Sequence, residues 1–411
     1  MIDVALDQSS LRAAYSRFLA SDRVLFTGHS HQAWPDEVRE AMLRFFDDSA
    51  ALVDDKWSGA IFPKAEAVGK AILERMGFPP DDPIAFGKST HELVFRLLTC
   101  LPIFAGGRGS ASAVPFGLGR GRPRIVTTSG EFHSLGRQLS RLEEEGVEVV
   151  WVDAQPREAL VERLLAAITP GTAMVAVSAV LYEDAYVLPR LDEIVARAVA
   201  VGAIPLVDAY HAFNVVPIAW GPAGGQAYVT AGSYKYAGIG EGLCWLRLPR
   251  DCALRPVYTG WFADFEALSA RSDAGFVTYG EGGARFSGAT FDGSSIYRAE
   301  AAFAHWDRFG LTVSKLRAIS VHQTRCILDR IDARGLSRAV LSSRDDARRA
   351  GFVTLRVPRA VEVVTELRAR GVLADARHDL LRIGPAPYLT DEEIHRGTNL
   401  VADAIEELAR S

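Results

Sequence analysis

A chain of 411 residues with 48% hydrophobic and 24% charged positions has the make-up of a globular protein large enough for two domains, which excludes disorder of the whole chain. Its net charge of −5, with Lys and Arg scattered among Asp and Glu, offers no basic stripe for nucleic acid. No charge-free run of about 18 apolar residues suits a membrane span, and MIDVALDQSSLRAAYSRF carries acids where a secretion signal would be basic, so a cytoplasmic protein with no membrane partner is expected.

In chain order, the first helix start is FGKSTHELVFRLL, residues 86–98, where Ser89 and Thr90 precede apolar positions at helical spacing. The segment 104–123 is rich in Gly and Arg, has no periodicity and is expected to be a surface loop. Short β-branched runs then alternate with amphipathic stretches. The strands are RIVTT, VEVVWVD, AMVAVSAV, IPLVDAY, YVTAGSYK and GLCWLRL, with surface helices over Pro156–Ile168 and Leu191–Val201. This alternation predicts an α/β domain around a mainly parallel sheet, with function at the carboxyl ends of its strands. From Ser294 a long helical stretch runs to about Ala333, followed by the strand GFVTLRV, a helix over Ala360–Arg370, the strand LLRIG and a terminal helix from Asp391. We expect an N-terminal segment (1–50) packing with the small domain, a large α/β domain (51–292) and a smaller α+β C-terminal domain (293–411).

Three segments carry chemistry. In AGSYKYAGIGEG, Lys235 follows a strand and enters a glycine-rich turn, a setting that can dehydrate an amine enough to make it nucleophilic. In IPLVDAYHAFN, Asp208 ends an apolar strand with His211 three residues on; a carboxylate there needs a cationic or donor partner such as a protonated pyridine nitrogen, unless it caps a helix. Ser89 and Thr90, with free backbone N–H groups at a helix start, form a phosphate site. A triphosphate-binding loop is disfavoured, because the first Gly of GxxxxGK[ST] would fall on Asp82. Cys100, Cys244, Cys252 and Cys326 form no CxxC pair and read as reduced core thiols. His29 and His31, in FTGHSHQAWP, lack nearby ligand residues, so no metal centre is expected.

In this order, from Ser89-Thr90 through an aromatic after the next strand to Asp-x-x-His and Ser-Tyr-Lys-Tyr, the residues resemble fold-type I pyridoxal 5′-phosphate (PLP) enzymes of aminotransferase class V. Within that class they resemble kynureninase-like proteins. The resemblance implies a fold-type I PLP-transferase in which Ser89 and Thr90 hold the phosphate, Phe132 of GEFHS stacks on the ring and Asp208 pairs with the ring nitrogen. His211 lies near the ring hydroxyl, Ser233 and Tyr234 join the cofactor site, and Lys235 is the Schiff-base lysine. His133 is a competing stacking residue. GWFADF (260–265) and RFSGAT (285–290) resemble segments in which Trp261 lines the substrate pocket and Thr290 reaches the phosphate of the neighbouring subunit, implying a homodimer with shared sites. LLRIGPAPYLT resembles the strand whose Arg, here Arg382, binds the substrate carboxylate; Arg382 could instead pair with an acid such as Asp379.

The segments Gly28-His29-Ser30-His31 and Tyr182-Glu183-Asp184-Ala185 depart from the kynureninase pattern on the substrate side. The expected activity is hydrolytic cleavage of a β-acyl amino acid, with Tyr234 as proton donor and Lys235 as base; a class V aminotransferase or another PLP-dependent lyase is the alternative. A cysteine desulfurase is disfavoured by the lack of a well-placed later Cys, and a non-catalytic module by the retention of Lys235 and Asp208.

Overall fold

The structure, a computed structural model, describes residues 7–101, 122–265 and 277–410. The glycine- and arginine-rich loop expected at 104–123 falls outside them except for its last two positions.

The chain begins with α1 (Gln8–Ala13), β1 (Val24–Leu25), α2 (Asp36–Leu52) and α3 (Phe62–Arg75). Asp7 caps α1 by accepting from the Ser10 N–H at 3.0 Å, and a proline opens the first turn of α3. The alternating region follows: β2 (Ile84–Gly87), α4 (Thr90–Leu98), β3 (Arg124–Thr128), α5 (His133–Glu144), β4 (Glu148–Val152), α6 (Leu160–Ala167), β5 (Thr172–Ser178), α7 (Leu191–Ala200), β6 (Ile204–Asp208), β7 (Tyr228–Gly232) and β8 (Cys244–Arg247). The remainder is α8 (Ser294–Arg308), α9 (Val313–Ala333), β9 (Val353–Arg356), α10 (Ala360–Ala369), β10 (Val372–Leu373), β11 (Asp375–Arg377), β12 (Leu380–Ile383) and α11 (Asp391–Arg410).

The helix expected from Ser294 to Ala333 is two helices. Gly310 adopts φ 58°, a left-handed conformation that closes α8 as Leu311 N–H returns to the Trp306 carbonyl at 2.8 Å. Thr312 then caps α9 by accepting from Lys315 N–H.

Seven strands form the main sheet in the order β2-β8-β7-β6-β5-β3-β4. Strands β3 to β7 run parallel, and β8 is antiparallel to both its neighbours. β5 is buried at every position, as a central strand covered on both faces must be. The strand order reverses between β3 and β5, opening a crevice at their carboxyl ends. In register, Ser178 sits opposite Asp208, and Asp208 opposite Thr230, so these side chains share one sheet end.

A three-stranded antiparallel sheet, β11-β12-β9, carries Arg382 on its middle strand. The N-terminal segment reaches this region: β1 pairs in parallel with β10, and Gly28 N–H bonds the Gly384 carbonyl at 2.9 Å. α8 packs instead beside the large sheet's loops, with Trp306 Nε1 donating to Ala237 O at 3.2 Å and Arg298 to Ile239 O at 3.1 Å. All four cysteines are free thiols. Among the described residues, no helix is long and apolar enough to cross a membrane.

Candidate active site

Lys235 is delivered by the turn after β7. Gly232 ends that strand where a Cβ would lie 2.4 Å from Cys244 Sγ and 2.5 Å from the Tyr210 hydroxyl, so only glycine lets the chain pass this close to β8. The turn is then held by Gly238 N–H on the Lys235 carbonyl and Ile239 N–H on the Ser233 carbonyl. Lys235 is 5% exposed. Its Nζ lies 2.9 Å from His211 Nε2 and 4.6 and 5.2 Å from the ring centres of Tyr210 and Phe132. Burial brings its pKa down to about 7 against the pull of Asp208, and the Arg382 charge adds to the fall. Burial, followed by the Lys235 charge, also holds His211 well below the usual imidazole range, so the ring is neutral and can accept from the amine.

Asp208 ends β6 with Oδ1 accepting the Tyr210 N–H at 2.8 Å. Burial raises its pKa, and Lys235 opposes the rise. Beside it, Ser178 Oγ donates to Glu131 Oε2 at 2.6 Å, while Glu131 Oε1 accepts from Thr128 Oγ1 and from Ser178 N–H. Glu131 is a buried carboxylate pushed up to about 7, mainly by burial, with the charge of Asp208 contributing in the same direction. Sequence reasoning missed it; the available signal was a lone acid in the uncharged run TTSGEF between a strand and an aromatic.

Ser89 stands just before α4 in an extended conformation and caps it by accepting from Glu92 N–H at 3.2 Å. Its hydroxyl hydrogen remains for another acceptor. Ser89, Thr90, Phe132, Asp208, His211, Tyr234 and Lys235 all line one cavity of about 280 Å³. Lys88 and Ser178, which the sequence reading did not single out, line it too. Phe132 rather than His133 is on this lining; His133 faces a separate groove with Phe95 and Leu98.

Four predicted residues stand off the lining. Ser233 is fully buried with its hydroxyl turned to the Gly240 carbonyl. Arg382, on β12, donates from Nε and Nη2 to Asp375 at 2.9 and 2.6 Å and from Nη1 to the Tyr182 carbonyl at 2.8 Å. Its acid is thus Asp375; Asp379 pairs with Arg356. Asp375 is closed on its other side by His29 Nε2 at 3.0 Å. Burial favours a raised pKa for that carboxyl, but the bonds from His29 and Arg382 hold it below the usual carboxylate range. His29 is itself buried, pushed down to about 4 by burial, and stacked on Phe352 at 4.6 Å. His31 lies outside, stacked on Tyr234 at 5.0 Å and 3.5 Å from Glu241. Of the HxH pair, His29 therefore forms part of the wall around Asp375 and Arg382, while His31 stays at the surface.

Trp261 is 45% exposed and Thr290 is exposed. Their segments adjoin, with Phe262 N–H on the Gly288 carbonyl at 3.0 Å, so both residues belong to one surface.

With known proteins, residues 316–401 match the kynureninase C-terminal domain family. The chain is 24% identical to an uncharacterized aminotransferase, YcbU, of Bacillus subtilis over 91% of this chain and 92% of that one. It is 25% identical to a kynureninase of Pseudomonas fluorescens over 98% and 94%. Its fold is that of a cysteine desulfurase from Thermococcus onnurineus, with TM-score 0.78 at 18% identity over 97% of this chain and 98% of that one. A variant of C-DES with glycine covalently linked to its PLP cofactor superposes with TM-score 0.77 at 17% identity over 95% and 99%. The α/β class with a mainly parallel sheet, read from the alternation of strands and helices, is the architecture these structures share.

Proposed function

We propose that this chain is a PLP-dependent enzyme acting on an amino acid, and that its reaction is kynureninase-like hydrolytic cleavage of a β-acyl amino acid. The observation that carries the reading is Lys235, a buried amine near neutrality, in one cavity with His211, Asp208 and the start of α4. The residues present fit the cofactor. Ser89 and Thr90 offer a hydroxyl and helix N–H groups to a phosphate, Lys88 adds a positive charge, Phe132 offers a flat face, and Asp208 offers a carboxylate whose Oδ1 is held by the backbone N–H of Tyr210. Bound PLP supplies an aldehyde that condenses with amines and a protonated ring that draws electrons from the substrate α-carbon.

The chain's own groups do the rest. Lys235, neutral in part at pH 7, takes the α-proton, and His211 accepts a hydrogen bond from its amine. Water takes the acyl group off as its acid, and Tyr234, whose hydroxyl is held protonated chiefly by burial, donates a proton to the β-carbon of the alanine fragment that stays behind. Arg382 has committed three of its five N–H groups to Asp375 and Tyr182, which leaves two for a substrate carboxylate.

The alternative is a class V aminotransferase, favoured by the likeness to YcbU. Sulfur removal through a cavity thiol is disfavoured because Cys244, the thiol on the lining, is pushed up to about 12 by burial and stays protonated at neutral pH. Borohydride reduction and peptide mapping should place a pyridoxyl group on Lys235; a colourless chain or a label on another Lys sinks the cofactor reading. Kynurenine or 3-hydroxykynurenine should release alanine with the aromatic acid. A keto acid with pyridoxamine phosphate would install the aminotransferase instead.

A further inference from the structure

Outside that cavity, three side chains of different chemistry meet on the small domain. His322 and Cys326 are one helical turn apart on the same face of α9. Asp391 opens α11, which packs beside α9. His322 Nε2 lies 2.9 Å from each oxygen of Asp391 and 3.7 Å from Cys326 Sγ, and one ligand atom from each residue lies within 4.8 Å of the others.

The point of convergence decides what the cluster can do. A thiol activated by a histidine relay has the thiol on one ring nitrogen and the acid on the other. Here acid and thiol both face Nε2, which carries at most one hydrogen and cannot serve both as donor to the carboxylate and as acceptor from the thiol. A cation placed between the three satisfies imidazole, thiolate and carboxylate together. Zinc bonds of about 2.0–2.3 Å in a tetrahedral site hold ligand atoms roughly 3.3–3.7 Å apart. The sulfur to nitrogen spacing already fits, and the nitrogen to oxygen spacing has to open by a few tenths of an ångström. His322 and Asp391 have that freedom, being 58% and 56% exposed.

We propose that His322, Cys326 and Asp391 form a zinc site that joins α9 to the first turn of α11, with its fourth position open to water. Sulfur and nitrogen donors select Zn²⁺ over Mg²⁺ or Ca²⁺, which take oxygen ligands. The thiol proton is released to solvent on binding. Without a metal, the His322–Asp391 contact is a polar contact between two exposed side chains and contributes little.

The test uses the chelator-treated, PLP-loaded protein. Equilibrium dialysis should find one Zn²⁺ per chain, and Co²⁺ should give the visible bands of a tetrahedral ion with thiolate charge transfer, both displaced by Zn²⁺. Cys326→Ser and His322→Ala should each weaken Zn²⁺ at least about 10–100-fold, the loss that even indirect support residues produce. Both should also abolish the rise in melting temperature that Zn²⁺ gives the parent, while keeping its circular dichroism and cofactor absorbance. An octahedral Co²⁺ spectrum without charge transfer, or undiminished Zn²⁺ binding in either variant, overturns the site.

Discussion

The amine of Lys235 meets an imidazole instead of a carboxylate, and burial, the largest influence on it, favours its neutral form. Only the neutral amine attacks an aldehyde, and its fraction grows as pH rises through about 7. Cofactor-free protein should therefore capture PLP roughly tenfold faster at pH 8 than at pH 6, with stopped-flow absorbance as the measure. A flat profile would mean that the amine is not near neutrality. Folding carries the same sign: the unfolded chain holds this proton up to 10.5, so between about 7 and 10.5 the group makes the native state more stable as pH rises. Asp375 acts differently, because it neutralises a buried guanidinium and anchors His29 at once. Asp375→Ala should lower stability by about 3–5 kcal/mol in a denaturant titration, the cost of leaving Arg382 without its acid.

Strand β7 and its turn have almost no spare volume, since Gly232 faces Cys244 and Tyr210. Gly232→Ala should lose about 1–3 kcal/mol by overpacking and shift the visible absorbance of PLP bound at Lys235, whereas the same change at Gly225, which meets nothing within 4 Å, should do neither. Elements of this kind were legible in unequal measure. β3 to β7 showed in the sequence because strands of a covered parallel sheet read as β-branched runs, and antiparallel β8 showed because it is buried at every position. β1 and β10 did not, because each is two residues long and exists only by pairing with the other. α2 was hidden for another reason: Met42, Leu43 and Phe46 are exposed apolar residues that blur its amphipathic pattern. Lys235, Asp208 and Ser89 were readable from local sequence because each sits at a strand or helix end. Glu131 and Asp375 were not, since their partners come from other strands and only the folded chain joins them.

At the scale of the whole molecule, Trp261 and Thr290 form one exposed surface off the lining of their own cavity. That placement suits a homodimer in which each chain completes its neighbour's site, and the exposed apolar side chains of α2 offer further area to cover. Lys235→Ala and Thr290→Ala chains, nearly inactive apart, should regain on the order of a quarter of parent activity when mixed, because random pairing leaves that share of sites intact. An active monomer in sedimentation would exclude the arrangement.

The wall that holds Arg382 also sets a schedule for synthesis. His29 leaves the ribosome early, yet the carboxylate that receives it lies 346 positions later. At about 5–20 residues per second, the N-terminal segment waits roughly 20–70 s for its partner. Nascent chains halted before Asp375 should therefore remain open to protease around Gly28, and protection there should arrive together with release of the finished chain.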